Sequence, residues 1–360
     1  MSAASQPKPQ SAPTQANDPP PFIPMRVAAT GICCSVGNNT ASASAAIRAR
    51  MSHFRPGGDF DDQAGEPINL AMLYEVPLWG QERLQHMYRA AMTECLGSLP
   101  GLESAKHLPP IALIGAEHHR GIRFQHSTYD FLASNQPEEG YDPRTILGYL
   151  GKAGIAQAVL GASAIFAGPN PPEYVVVVGV DSFLDAATIQ RYLVQKRILC
   201  SNNTNGFIPG EAAAAVALTP APTDKPALWV EGVGMAHEAA TLFNQDIPLR
   251  AIGLTRAMRN AIASAHWQSD DLCFHASAIS GEQWFFKEAA LAMNRVMTRK
   301  IAHFPHRIVA QSVGEIGAAF GPLMLAWIGA EMKPHRLGKQ GLLHFANDNG
   351  ERAALAVHYR

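Results

Sequence analysis

The chain has 360 residues, with 29 Lys+Arg against 30 Asp+Glu and a formal net charge of −1. Only 16% of residues are charged, where a globular chain usually carries about 25%. The chain therefore buries much of itself or covers its surface with a partner. A neutral balance argues against a basic nucleic-acid face and a polybasic membrane contact, and no uncharged apolar run reaches the roughly 20 residues of a membrane span.

Cys33, Cys34, Cys95, Cys200 and Cys273 are odd in number and lack CxxC spacing, which argues against a disulfide framework and a Cys-based zinc site. The N-terminus has no signal-type apolar core, so a reduced, cytoplasmic protein is expected. Residues 1–24 are rich in Pro, Gln, Ser and Ala. Such a segment buries too little to offset its ordering entropy and reads as a disordered tail.

From there the elements follow in order. Residues 26–31 read as a strand, and Asn38-Asn39-Thr40 as an N-cap for an Ala-rich helix to about Arg50. Leu84, Met87, Tyr88, Ala91, Met92, Cys95 and Leu96 recur at helical spacing. Residues 111–114 form a strand, 116–143 a polar loop region, and YVVVVGV (174–180) a strand covered on both faces. Residues 212–218 give another strand and 220–226 a connection.

The order then partly repeats. It runs through a strand (227–233), a helix (250–266), a short strand (271–275) and a helix (282–300). An apolar helix (317–330) and two strands (342–346, 353–358) close it. Two α/β halves, 25–222 and 223–360, suggest an internal duplication. The runs 153–168 and 317–330 are apolar or small all round, the mark of helices buried on every side; each half is expected to send one through the middle of the molecule.

RVAATGICCSVGNNTASASAAIRARMSHF resembles the opening strand, loop and helix of the β-ketoacyl synthases of the thiolase superfamily. GVDSFLDAATIQRYLVQKRIL with NGFIPGEAAAAVAL is similar to their path from the sheet to the Gly-Phe-x-x-Gly-Glu turn, and SVGEIGAAFGPLMLAW to their second buried helix. The resemblance runs from about Arg26 to the C-terminus and implies a duplicated, five-layered αβαβα sandwich.

It also implies a Cys-His-His device, in which a helix N-terminus lowers the thiol pKa and backbone N–H groups hold the oxyanion. At the nucleophile's place stands Ala153, and no Cys lies between Cys95 and Cys200. The nearest counterpart of the first His is His275, one residue closer to Gly281-Glu282 than the family spacing. Glu315 replaces the second His, where a structural cap is the plainer reading, and Ala310 replaces the family Lys. HFANDNGER stands for the Gly-rich closing turn, with Asn347, Asp348 and Asn349 able to turn tightly. Glu211 resembles a framework carboxylate.

No catalytic residue, cofactor or metal is therefore expected. His118-His119 read as a solvated pair, and His303 and His306 as surface residues. Cys33, Cys34 and Cys200 are either reactive thiols or small buried residues. The resemblance implies a non-catalytic binding or scaffold protein. It would act as the inactive partner of a synthase, or as an accessory of the kind found in bacterial secretion-effector clusters, including type VI. The partners implied are a second copy, a related chain, a protein client or an acyl carrier protein. The alternative is an acyltransferase, a 3-oxoacyl synthase acting on acyl-CoA or acyl carrier substrates, that recruits Cys33, Cys34, Cys200 or His275.

Overall fold

The computed structural model describes residues 21–100, 102, 108–117, 120, 140–244, 246–332 and 338–360. The first half contains β1 (Met25–Cys34), α1 (Thr40–Arg48), β2 (Arg55–Asp61), β3 (Pro67–Leu70), α2 (Gly80–Gly97) and β4 (Ile111–Gly115). It continues through β5 (Ile146–Leu150), α3 (Gly154–Ala167), β6 (Val175–Ser182), α4 (Ala186–Val194) and β7 (Glu211–Thr219). The second half begins with β8 (Leu228–His237), α5 (Ile252–Ser264), β9 (Phe274–Ser277), α6 (Gln283–Val296) and β10 (His306–Ile308). It closes with α7 (Ala310–Val313), α8 (Phe320–Met332), β11 (Gln340–Ala346) and β12 (Glu351–Tyr359).

The duplication is visible in the strand order, β10-β9-β11-β12-β8-β1-β7-β6-β4-β5. Divided between β8 and β1, each half orders its five strands third, second, fourth, fifth, first. In each half the fifth strand, β7 or β12, runs antiparallel to both neighbours. The halves meet at a short antiparallel seam, Met25 opposite Val230 and Arg26 opposite Trp229.

The layering follows from side-chain alternation. On β6, Val176, Val178 and Val180 face α2, whereas Val175 and Val177 join the central core with α3 and α8. On the second half, Leu342, Ala354 and Ala356 pack outward on α5 and α6, whereas Leu343, Ala353 and Leu355 face the same central core. The five layers are thus α2, one half-sheet, the α3–α8 pair, the other half-sheet, and α5 with α6. Gly179 permits the closest approach, since a Cβ there would stand 2.2 Å from the Ala318 carbonyl oxygen.

The central helices are not equally enclosed. In α8 only Gly329 and Ala330 escape full burial, and its single acid, Glu331, pairs with Arg48 at 2.6 Å. The other, α3, departs from the all-round burial that its composition predicts. Leu160 is 40% exposed, and Ala164 and Ala167 lie on the surface beside it.

Asn39 caps α1 by accepting from the Ser42 N–H at 2.8 Å. The strand expected over 271–275 begins later, because Ser269–Asp271 close a 3₁₀ turn in which Asp271 accepts from the Gln268 N–H at 2.8 Å. The helix expected to reach residue 300 stops at Val296, after which Met297 is extended. Phe22 and Ile23, counted by composition with the tail, pack on the central core, and the Ile23 N–H donates to Ser163 Oγ at 2.9 Å. Residues 1–20, most of the 116–143 loop region and His118-His119 lie outside the described residues. Among the described residues, no helix is long and apolar enough to cross a membrane.

Candidate functional site

The N-terminus of α3 lies in the interior beside the loop that leads into α8. Ala153 occupies the cap position with an ordinary helical backbone, and its N–H donates to Asn347 Oδ1 at 2.9 Å. Asn347, fully buried in the turn between β11 and β12, donates from Nδ2 to the Leu150 carbonyl at 3.0 Å and to Glu351 Oε2 at 2.9 Å. Gly151 must be glycine on two counts. Its φ is +63°, and a Cβ would stand 2.4 Å from Glu117 Cγ and 2.6 Å from Asn347 Oδ1.

Glu315 meets this helix start from the other half. Oε1 accepts from the Gly317 N–H at 2.9 Å, and Oε2 accepts from Lys152 Nζ at 2.8 Å and Ser280 Oγ at 2.5 Å. Burial alone would lower the Lys152 ammonium, but the carboxylates of Glu315, Asp348 and Glu117 outweigh it and hold it above the usual lysine range. Beside the pair, Arg197 grips Glu282 through Nε and an η nitrogen at 2.7 and 2.8 Å, and Asp348 at 2.5 and 3.1 Å. Arg120 donates to Asp181 at 2.6 Å and lies 3.7 Å over the Phe183 ring. Half-buried Glu117 accepts from the Asp348 N–H at 3.1 Å. Removal from water, then the Asp348 charge, pushes its carboxyl up to about 8.

The cavity bordered by Glu117, Arg120, Lys152, Arg197, Glu315 and Asp348 holds about 10 Å³, room for about one water. Five carboxylates and three cations therefore fill the space between the two central helix starts. Glu211 belongs to a separate buried pair. Arg83 donates to it at 2.7 and 2.5 Å, and it also accepts from the Leu73 N–H at 2.9 Å.

The cysteines lie elsewhere. Cys33 packs against α2 and Cys34 in the central core; burial pushes their thiols up to about 12 and about 11. Cys200 is half-buried in its loop, and its thiol donates to Asn202 Oδ1 at 3.2 Å.

His275 sits on the outer face of β9, turned away from the central core that its neighbours Phe274 and Ala276 enter. The residue that reaches Glu315 from this segment is Ser280. His275 instead stacks on His306, centroids 4.0 Å apart, with His344 at 5.8 Å and Phe304 at 5.4 Å. This corrects the surface reading of His306, which is half-buried in the stack; His303 is exposed. The sequence pattern did not point to His344, Lys152 or Arg197, and marked Asn347 only as a turn residue. The signal for His344 was a lone polar residue on an otherwise apolar strand, Leu342 to Ala346.

No protein-family model matches the chain, and no curated protein sequence does. Solved structures do. A ketosynthase in complex with its chain length factor from Xenorhabdus doucetiae is 14% identical, with a TM-score of 0.68 over 93% of this chain and 98% of that one. A type II PKS acyl-carrier protein in complex with its ketosynthase gives a TM-score of 0.74 at 11% identity, covering 94% of this chain and 99% of that one. A β-ketoacyl synthase from Burkholderia phymatum gives 0.66 at 14% identity, covering 93% and 99%. The chain therefore has the thiolase-like fold of the ketosynthases.

Proposed function

We propose that this protein is a non-catalytic ketosynthase-like subunit that binds a related chain or a protein client and does not condense acyl groups itself. One observation supports the reading: Ala153, which the resemblance sets at the family nucleophile's position, caps α3, and the Lys152–Glu315 ion pair occupies the space beside it. Neither an acyl thioester nor room for one is supplied by these residues. The high thiol pKa values of Cys33 and Cys34 speak against their recruitment as nucleophiles.

The partner favoured is a second, related chain, as a chain length factor accompanies the ketosynthase of Xenorhabdus doucetiae. The exposed flank of α3, with Leu160 on a helix free of charged residues, supports a covered surface there. A secretion-effector client of the type VI kind, an acyl carrier protein and a homodimer are the variants of this role.

The test is intact mass after incubation with acyl-CoA and acyl-carrier donors. No added mass is expected on the native chain, nor condensation by Ala153→Cys, which restores the thiol without the space. An acyl adduct on the native chain, or turnover, overturns the reading. Sedimentation alone and with a co-expressed ketosynthase is expected to show a dimer; a monomer under both conditions counts against the partner.

A further inference from the structure

Three imidazoles converge on the outer face of the second half-sheet. His275 and His306 are direct neighbours on the parallel strands β9 and β10, and His344 on β11 pairs with Ser277, two residues beyond His275. Side chains at such positions project from one face. One ligating atom from each histidine lies within 4.8 Å of those of the other two. His344 is 2% exposed and His275 8%, yet His344 Nε2 and His275 Nδ1 have no hydrogen-bond partner among the described residues. Buried ring nitrogens normally find one, and two orphans in one cluster call for a ligand.

From this geometry we propose that His275, His306 and His344 form a binding site for a divalent transition-metal ion of the zinc class. Three neutral imidazoles are a preferred donor set for Zn²⁺ and the later first-row ions. Tetrahedral ligands at about 2.05 Å from zinc lie about 3.3 Å apart. The trio needs to close by roughly 1.5 Å at most and to turn its rings, now stacked within 14–26° of parallel, toward one point.

Ser277 Oγ bonds His306 Nε2 at 2.7 Å and fixes that ring, as partners of metal-binding imidazoles do. Access is from the sheet edge. Among the described residues β10 has a strand neighbour on one side only, and His306 is the half-buried member of the trio. The trio lies on the outer sheet face, away from Ala153 and Glu315 in the central core, so its failure leaves the proposed function standing, and the reverse.

The full-length chain, free of affinity tags and stripped with chelator, is titrated with Zn²⁺ by calorimetry and with Co²⁺ by visible absorption. One ion per chain is expected, with a Co²⁺ spectrum of four-coordinate type and a rise in melting temperature. His306→Gln and His344→Gln are each expected to weaken binding about tenfold or more, and His303→Gln to leave it unchanged. Circular dichroism selects the folded variants, and the half-buried position of His306 makes His306→Gln the safer one. No saturable uptake by the native chain, or uptake unaltered in folded His306→Gln, overturns the site.

Discussion

Two polar clusters lie in this molecule, and they differ in how well they are satisfied. Between the central helix starts, Lys152, Arg197, Glu282 and Glu315 all have close charged partners, and little space remains. In the histidine trio, two buried ring nitrogens have no hydrogen-bond partner among the described residues. A saturated network fixes its surroundings and leaves nothing for a substrate to bind. An unsaturated one leaves polar atoms that a ligand can satisfy.

The comparison breaks first at Arg197. Arg197→Met strands Glu282 and Asp348 and is expected to cost about 3–5 kcal/mol in urea unfolding; a cost under about 1 kcal/mol would show that the network is not framework. Lys152→Met is expected to cost about 3 kcal/mol, and adding Glu315→Gln to recover more than half of that, because no buried charge is then left alone. If the two costs simply add, the pair is not coupled. Asn347→Ala removes the acceptor for the Ala153 N–H and two donated bonds, for about 1–3 kcal/mol by the same measurement.

A smaller effect separates by pH. Glu117 has a folded value of about 8 against an ordinary 4.5. Below pH 4.5 both states are neutral and nothing is lost. Between 4.5 and 8 only the unfolded state ionises, so stability falls as pH rises, and above 8 the loss is complete. Glu117→Gln is therefore expected to do little at pH 4 and to stabilise by about 1–2 kcal/mol at pH 8, a figure reduced for the half-exposed carboxyl. Equal melting shifts at both pH values would contradict this. Smallest of all, His344→Phe in chelator is expected to change stability by less than about 1 kcal/mol, since it replaces a ring whose buried Nε2 has no partner among the described residues by an apolar one. A large loss there would mean the trio is already satisfied.

Much of the fold was legible because its signals are local. The β-branched run of β6, the apolar runs of α3 and α8 and the Asn39 cap declare themselves within a few residues. Short edge strands, β5 and β10, carry no such signal and went unread, as did the β2–β3 hairpin. Ala153 and Glu315 drew notice in the sequence because their neighbours keep the pattern of the resemblance. The charged cluster was not. Lys152 meets Glu315 across 163 residues, and Arg197 meets Asp348 across 151; singly, each reads as a surface charge. His306 read as exposed for the same reason, since its burial comes from strands β9 and β11 and not from its own three-residue strand.

The pairing of β1 with β7 sets a timetable for synthesis. Arg26 pairs with Thr219, and Cys34 with Ala212, so the first strand made waits for nearly two hundred residues before its main neighbour exists. At about 5–20 residues per second, the delay is roughly ten to forty seconds. The next neighbour, β8, arrives only afterwards. Throughout that interval an apolar ten-residue strand leaves the ribosome with both edges unpaired, a state open to strand pairing with other chains. Yield in the cell should therefore depend on what shelters β1 during translation, as well as on the stability of the finished sandwich.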